Sequence, residues 1–359
     1  MTTHYRKRLV AVIALSFLSF TSPLLLIRSA GAESVSAAKA SSKEISSLVE
    51  KFKSNDEREI EAAIKKLVKI GEPAIPALIE ALRSENWVVR RRVAEALRRN
   101  SNRAIPALVK ASKDSDIKLR RNAVNVLREI MNRYRYDSQG LLEAKNAVPQ
   151  LSPLLKDSDA DVRSSAASAL GGMGAEAKTA VPQLILLLKD SDADVRKSAA
   201  IALGRIGAEA KTLVPQLIPL LKDSDAGVRS SAARALENMG AEAAKAALAQ
   251  LIPLLKDSDA QVRSSATNAL GGIGAEAQTA VPQLILLFKD FDAQVRSSAA
   301  YALGSIGAEA KTVVPQLILL LKDSDADVRK SAARVLGSIG AIQFLFDEGK
   351  SSFHSFSYT

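Results

Sequence analysis

The sequence predicts an all-α protein, specifically a right-handed α-solenoid of about nine two-helix repeats. Two observations predict this fold. The eight residues KDSDADVR occur at 156–163, 189–196 and 322–329, and close variants between them give the motif a period of 33 or 34 residues. Such a period is typical of solenoids, in which each unit stacks on the next. Apolar residues form 47% of the chain but aromatic residues only 4%, which favours closely packed helices over a β-sandwich.

The stretch AVPQLILLLKDSDADVRKSAAIALGRIG shows how one repeat forms two helices. Its first nine residues are almost wholly apolar, as expected for a helix packed between neighbours. From Val195 to Ile206, apolar residues recur at helical spacing and predict an amphipathic second helix. We expect Asp192 to cap the start of this helix, Gly207 to end it, and Gly204 to let a neighbouring helix approach closely.

Weaker copies of the repeat extend the pattern upstream to about residue 44, and an interruption follows the third copy. The expected layout is a signal peptide at 1–32, a flexible linker at 33–43, basic repeats at 44–131, an insertion loop at 132–142, six regular repeats at 143–340 and an aromatic-rich tail at 341–359. The tail holds four of the nine Phe residues and is expected to cap the last repeat, to contact a partner or to mark a truncation.

The first 32 residues have the composition of a secretory signal. Three basic residues at 6–8 precede an apolar run at 9–27, and Ala30-Gly31-Ala32 fits a cleavage site. We therefore expect an exported protein in the periplasm, in a lumen or secreted, with an uncleaved anchor as the alternative. The chain contains no Cys, which excludes disulfides, thiolate nucleophiles and Cys metal sites.

Positive charge is concentrated near the N-terminus. Residues 51–150 carry 22 Lys and Arg against 13 Asp and Glu, whereas residues 151–359 carry 22 against 23. This asymmetry indicates an acidic partner for one end of the chain or a solvated basic face.

The repeat wording resembles the HEAT-repeat family, and AVPQLxxLLKDSDxxVRxxAAxALGxIG is most similar to HEAT-like repeats of the phycobilisome-lyase type. The residues that carry the resemblance are the turn Asp, the Arg six positions later and the first-helix prolines Pro76, Pro106, Pro149, Pro182, Pro215, Pro282 and Pro315. Three further prolines, Pro153, Pro219 and Pro253, are expected to bend or shorten their helices.

The resemblance implies a ladder of Asp and Arg side chains between successive repeats, in which Asp190 and Arg196, for example, would be paired. A planar guanidinium suits this position because it binds a carboxylate and main-chain carbonyls together. The ladder residues would be Asp157, Arg163, Asp190, Arg196, Asp223, Arg229, Asp257, Arg263, Asp290, Arg296, Asp323 and Arg329.

Catalytic and metal chemistry find little support in the sequence. The acids Asp157, Asp159 and Asp161 imitate the start of a calcium loop, but Val162 and Ser168 replace its glycine and its last acid. The only histidines are His4 and His354, which excludes a His-Glu iron site of the kind some HEAT-like hydroxylases use. Repeat serines such as Ser164 have no nearby base. We therefore expect no catalytic residue, metal or cofactor.

Function is expected instead in the positions that differ between repeats. Two columns on the second helix lie away from its apolar stripe, and the resemblance implies that this helix lines the concave surface. The alternative is drift on a solvated helix. The predicted partner-binding residues are Arg91, Arg99, Arg121, Ile201, Arg205, Arg234, Asn268, Tyr301 and Arg334.

These features predict a non-catalytic, extracytoplasmic scaffold or adaptor that binds a protein partner, which an acidic surface would suit. The resemblance implies one alternative, a phycobilin lyase-like protein or a chaperone of pigment-protein assembly. A third possibility is polyanion or anionic-surface binding through the basic repeats. Nucleic acid is not expected, because no base-stacking aromatics interleave with the arginines, and membrane attachment is expected only through an uncleaved signal.

Overall fold

The structure, a computed structural model, describes residues 41–134, 140–207, 210–307 and 310–339. Within these ranges the chain forms helices joined by turns, which confirms the predicted α-solenoid class. The expected signal peptide, most of the linker and the aromatic-rich tail lie outside the described residues. The end of the linker is helical, since Ser41 accepts a hydrogen bond from the Glu44 amide at 3.1 Å and begins the first helix.

The α-helices of the described ranges are numbered here in chain order. They are α1 (Ser42–Glu50), α2 (Glu57–Ile70), α3 (Ile75–Ala81), α4 (Trp87–Arg99), α5 (Ser101–Ala111), α6 (Ile117–Tyr134), α7 (Gly140–Leu151), α8 (Ala160–Gly172), α9 (Val181–Leu187), α10 (Ala193–Ile206), α11 (Ala210–Leu217), α12 (Ala226–Asn238), α13 (Ala241–Ala246), α14 (Leu248–Leu251), α15 (Ala260–Ile273), α16 (Val281–Leu286), α17 (Ala293–Ile306), α18 (Ala310–Leu320) and α19 (Ala326–Ser338).

The helices fall into nine consecutive repeats, each with a first helix, A, and a second helix, B. The B helices are α2, α4, α6, α8, α10, α12, α15, α17 and α19, and the A helix of the seventh repeat is split into α13 and α14. The chain divides into two compact units, and the boundary between them lies between Ala107 and Leu108, within α5. The first unit contains the repeats built from α1 to α4, and the second contains the regular repeats from α7 onward.

The B helices of the second unit begin and end as the sequence predicts. Asp192 accepts a hydrogen bond from the Val195 amide at 3.0 Å, and Gly207 ends α10 with a φ of 64°. Successive B helices pack closely, because a Cβ on Gly204 would lie only 2.6 Å from the Cα of Ala235 in the next B helix. The glycine therefore allows the stacking, as predicted.

The core of each unit is aliphatic. In the second unit, Leu170, Leu203 and Leu236 occupy equivalent places in three successive B helices and are fully buried. In the first unit, Phe52 and Leu67 are also fully buried. Burial of these side chains, at about 25 cal/mol per Å² of apolar surface, is the main favourable term that holds the repeats together.

The extra prolines shorten three A helices, as the sequence predicts. The helix α7 ends at Leu151 and continues as a 3₁₀ helix over Ser152–Lys156, whereas the equivalent α9, which lacks this proline, runs three residues further to Leu187. Proline has no amide hydrogen to donate to the carbonyl four residues earlier, so the α-helical ladder stops there. The same change occurs at Ile218–Lys222 and Ile252–Lys256.

The predicted insertion loop at 132–142 is partly wrong. The helix α6 extends to Tyr134 and α7 starts at Gly140, so both ends of the insertion are helical. Good helix formers in α6, including Met131 and Arg133, continue its period past the predicted end. Residues 135–139 lie outside the described residues.

Candidate partner-binding site

The repeated Arg joins two successive repeats of the second unit. Arg163 donates from Nε and Nη2 to the two carboxylate oxygens of Asp190, at 2.8 and 2.9 Å. Its Nη1 donates to the main-chain oxygens of Asp157 and Ser158, at 2.9 and 3.0 Å. One guanidinium thus closes its own turn and binds the next one, in the bidentate geometry that a planar fork allows.

This geometry corrects the predicted partner of each Arg. Arg196 contacts the main-chain oxygen of Asp190, at 2.8 Å, while the carboxylate of Asp190 receives Arg163 from the preceding repeat. The pairing that the resemblance implied lies within one motif, whereas stacking places the carboxylate of the following repeat against each guanidinium. The inter-repeat pairs are Arg120–Asp157, Arg163–Asp190, Arg196–Asp223, Arg229–Asp257, Arg263–Asp290 and Arg296–Asp323.

The hydrogen bonds of the ladder lower the pKa of its carboxylates. The hydrogen bond from Arg196 lowers the pKa of Asp223, while burial acts in the opposite direction. The hydrogen bond from Arg296 likewise lowers the pKa of Asp323. These carboxylates therefore remain ionised at neutral pH, and their pairs contribute to stability until the pH falls through the lowered pKa values.

The three acids of the motif have separate structural roles. The carboxylate of Asp157 accepts from Arg120 and from the amide of Asp159, and Asp159 caps α8 by accepting from the Val162 amide at 3.1 Å. Asp161 lies in the first turn of α8, where a carboxylate is favoured by the helix dipole. In the part of the chain that the structure describes, no cluster of three or more acids or histidines is arranged to hold a metal ion.

The predicted binding residues of the second unit differ in accessibility. Arg234, Tyr301 and Arg334 are exposed, with Tyr301 at 55%, whereas Ile201, Arg205 and Asn268 are half-buried. All six lie on B helices, at equivalent positions except for Arg205. Because the B helices approach closely through their glycines, these residues follow one another along a shared surface, which we call the B face.

Arg121 is held by acids of the following repeat. Its Nε donates to Oδ1 of Asp159 at 2.8 Å, its Nη2 also contacts this carboxylate, and its Nη1 lies 3.1 Å from Asp161. The hydrogen bond from Arg121 lowers the pKa of Asp159. Arg121 thus acts as an additional rung between repeats, and its charge is not free to receive a partner's carboxylate.

Arg91 and Arg99 meet in a groove of the first unit. This α2–α4 groove has a volume of about 310 Å³. Its lining residues are Glu57, Ile60, Glu61, Ile64, Val88, Arg91, Arg92, Glu95, Arg98 and Arg99. Ile60 and Ile64 are nearly fully buried and provide an apolar floor. The groove combines a small apolar surface with charged walls.

Ion pairs neutralise most of the charge in the α2–α4 groove. Arg99 donates to Glu61 at 2.8 Å and to Glu95 at 2.7 Å, and its hydrogen bond lowers the pKa of Glu61. Arg98 also contacts Glu95, and Arg92 lies 3.2 Å from Glu57. Arg91 is exposed, and among the described residues its side chain has no hydrogen bond or ion pair. The groove therefore offers one uncommitted guanidinium.

Sequence reasoning located one wall of this groove and missed the other. Arg91, Glu95 and Arg99 stand four residues apart and so lie on one face of α4. Glu57 and Glu61 have the same spacing on α2, so the sequence could have placed them on one face of that helix. That this face lies against α4 depends on how the two helices pack. The net charge of residues 51–150 does not reveal that these arginines are paired with nearby glutamates.

Comparison with known proteins identifies the repeats. The model of a family described as HEAT repeats matches residues 45–128, 75–143, 105–185, 148–213, 181–253, 214–285 and 281–347. The search of curated protein sequences gave no match. None of the helices in the described residues is long and apolar enough to cross a membrane.

Solved structures support the same fold. The chain is 27% identical to an engineered protein from a structural genomics consortium, with 83% of this chain and 89% of that chain covered and a TM-score of 0.53. It is 20% identical to YibA of Escherichia coli, with coverage of 80% and 98% and a TM-score of 0.56, a similarity that concerns the fold alone. Since the family matches extend over most of the sequence, the chain belongs to the HEAT-repeat family.

Proposed function

We propose that the protein is a non-catalytic scaffold or adaptor that binds a protein partner on its B-helix face. Repeat solenoids of this kind generally serve as protein-interaction scaffolds. The observation that carries the proposal is Arg91, an unpaired guanidinium beside the apolar floor of the α2–α4 groove. Arginine and buried apolar contacts are the groups on which protein-protein affinity commonly depends.

The groove favours a partner segment with one carboxylate next to one apolar side chain. Arg91 would bind the carboxylate, and the half-buried Val88, above the floor of Ile60 and Ile64, would contact the apolar group. The other arginines of the groove are already paired with glutamates, so only Arg91 would receive an acid, which favours a single acidic residue over an acidic run. The proposed partner therefore presents an acidic residue at this one contact.

The second unit offers further contacts along its B face. Tyr301 presents a large, partly polar side chain at an exposed position, and Tyr is common at the centres of interfaces. Arg234 and Arg334 are exposed at the equivalent positions of other repeats. These three residues, with Ile201, Arg205 and Asn268, are the proposed second contact region.

The alternatives have less support. Polyanion binding requires free basic side chains, but Arg92, Arg98 and Arg99 of the first unit are paired with glutamates. The phycobilisome-lyase type rests on the wording of the repeats, and a chromophore-transfer assay would test it. Export, with cleavage after Ala32, belongs to the proposal, and N-terminal sequencing of the protein from the envelope fraction would test it.

The test of the proposal compares two charge reversals in the first unit. Arg91→Glu places a like charge beside the groove glutamates, and Arg58→Glu makes the same change at an exposed position outside the groove. Proteins captured from an envelope extract by the immobilised full chain should be lost with Arg91→Glu and kept with Arg58→Glu. Equal capture by both variants, each with a wild-type circular dichroism spectrum, would exclude the groove as the binding site.

A further inference from the structure

The A helices of the second unit expose an apolar row that the proposed function does not use. Leu186, Leu286 and Leu319 occupy equivalent positions and are 67%, 66% and 64% exposed. The same position is an exposed proline in the three other regular repeats, namely Pro153, Pro219 and Pro253. Because the repeats stack in register, these leucines and prolines follow one another along the A helices, and Leu286 and Leu319 lie in adjacent repeats.

A lysine accompanies each member of this apolar row. The amide of Lys189 donates to the carbonyl of Leu186 at 3.2 Å, and the amide of Lys322 donates to that of Leu319 at 3.1 Å. This is the 3₁₀ pattern, in which side chains three residues apart eclipse one another. The lysine row consists of Lys156, Lys189, Lys222, Lys256, Lys289 and Lys322, all of which are exposed.

The lysine row is not neutralised by its surroundings. Among the described residues, none of its six side chains forms an ion pair. The nearby turn acids are committed elsewhere, since Asp190 binds Arg163 and Asp192 caps α10. The positive charges of this row are therefore available to an external anion.

One repeat adds an aromatic side chain to this surface. Phe291 stands where every other regular repeat has Ser, two residues after Lys289, and its side chain is fully exposed. Within one turn, Leu286, Lys289 and Phe291 therefore present two apolar groups and one cation to solvent. Phe291 contributes nothing to the core, and beside Leu286 it adds to the exposed apolar row.

We propose that the A-helix surface of the second unit binds an anionic lipid bilayer, lying on it without spanning it. Protein interfaces are typically depleted in Lys and enriched in Arg and aromatic residues. This surface instead carries Lys and either Leu or Pro in each regular repeat, with a single Phe, a composition that is typical of segments at a lipid interface. Lysine suits that position because its stem contacts apolar surface while its ammonium reaches the headgroups.

The charge of the bilayer is the feature that the row recognises. Each lysine near an anionic surface contributes about a fivefold increase in the binding constant, and the effect falls with salt. The apolar row adds shallow burial of Leu and Phe side chains. Binding should therefore need both anionic lipid and the apolar row, and should weaken in high salt.

The experiment is sedimentation of the full chain with phosphatidylcholine vesicles that contain about a third phosphatidylglycerol. A row variant carries Lys189→Glu, Lys222→Glu and Lys256→Glu. A control variant has the same charge change at exposed positions of the first unit, Lys43→Glu, Lys66→Glu and Lys69→Glu. Residues 9–27 are apolar and could contribute to vesicle binding themselves, so every variant is compared with the wild-type full chain, which carries the same segment.

The proposal predicts that the row variant binds about a hundredfold more weakly or worse, whereas the control binds like the wild type. Phe291→Ser, which restores the residue of the other repeats, should weaken binding severalfold without changing the unfolding transition. Equal loss in the row and control variants, or equal binding to vesicles of phosphatidylcholine alone, would overturn the proposal and leave this face to a protein partner. Arg91→Glu should keep wild-type vesicle binding, so the two proposals fail independently.

Discussion

Arginines of the B helices serve different purposes in the two units. In the second unit, Arg163 and its copies bind the carboxylate of the following repeat and the carbonyls of their own turn. In the first unit, Arg92 donates to the main-chain oxygens of Phe52 and Ser54, at 2.6 and 2.8 Å, and Arg99 binds glutamates across a groove. The same residue type is a repeated rung in one unit and part of a varied surface in the other.

This difference separates the residues that stabilise the stacking of repeats from the residues that can recognise a partner. A rung that recurs in every repeat fixes the stacking and cannot discriminate between partners, because all its copies are alike. A groove whose residues occur once can discriminate, and Arg91 is the arginine of it that no neighbour among the described residues neutralises. Variants of the rung, of the helix crossing and of the groove test this division.

Removal of one rung should have the largest effect on stability. Arg196→Ala leaves Asp223 partly buried without its partner, and we expect a loss of about 3 kcal/mol in the free energy of unfolding. Urea denaturation followed by circular dichroism would measure it. Arg329→Ala is the matched control, because Arg329 is exposed and, among the described residues, its hydrogen bonds are to the carbonyls of its own turn. An equal loss in both variants would contradict an inter-repeat role.

A methyl group at the closest B-helix crossing should have the next largest effect. In Gly204→Ala the new Cβ would meet the Cα of Ala235, a main-chain atom that cannot move alone, and we expect a loss of about 1 to 2 kcal/mol. Gly272→Ala should instead be stabilising by up to about 1 kcal/mol, since nothing lies within 4 Å and Ala favours the helix. Thermal unfolding of both variants would reveal opposite signs.

Glu237 should make stability depend on pH. It replaces the close-packing glycine of the other repeats, and burial raises its pKa although Arg234 opposes the shift. The raised pKa means that the protonated form fits the fold better, so its contribution is full at low pH and is lost as pH rises through the folded pKa. Glu237→Gln should therefore be more stable than the wild type at pH 7, by less than about 1 kcal/mol because solvent screens the site.

The difference between Glu237→Gln and the wild type should disappear below the pKa of an unfolded Glu, near about 4.3. Glu242→Gln, at an exposed position, is the control and should have no comparable pH-dependent effect. A constant difference from pH 3 to pH 7 would show that the Glu237 carboxylate is not the cause.

Acidification should weaken the second unit through its ladder. The lowered pKa values of Asp223 and Asp323 mean that these groups stabilise the fold above the pKa of an unfolded Asp. Stability should fall as pH decreases through the folded values, and Asp223→Asn should reduce the slope of this fall. Unfolding free energies measured at a series of pH values would test this, and an unchanged slope would argue against the rung.

Arg91→Glu should have the smallest effect on stability. The side chain is exposed and unpaired, so its replacement removes no internal contact. We expect the unfolding free energy to change by less than about 0.5 kcal/mol. The same denaturation experiment checks this value, and a larger loss would mean that any change in partner capture reflects unfolding.

The sequence was sufficient for the fold because the repeat makes every local signal recur. The caps Asp159 and Asp192, the terminal Gly207 and the shortened helices at Pro153 and its copies each follow from one local rule. The partner of each Arg did not follow, because Asp190, six residues before Arg196, and Asp223, 27 residues after it, occupy the same motif position in successive repeats. Only stacking decides between them.

The candidate site was less predictable for a related reason. The sequence predicted the same binding role for Arg91, Arg99 and Arg121, yet Arg121 is bound by Asp159 and Arg99 by Glu61. These partners are 38 residues away, so spacing within one helix gives no indication of them. Net charge over a region likewise cannot show which side chain is left uncompensated.

A double-mutant cycle would test the central claim, that the repeated Arg joins successive repeats. Arg196 would be combined with Asp223 in one cycle and with Asp190 in the other, each residue being replaced by Ala, and unfolding free energies would be measured. We expect a coupling of about 2 kcal/mol between Arg196 and Asp223 and less than about 0.5 kcal/mol between Arg196 and Asp190. A strong coupling to Asp190 with none to Asp223 would contradict it.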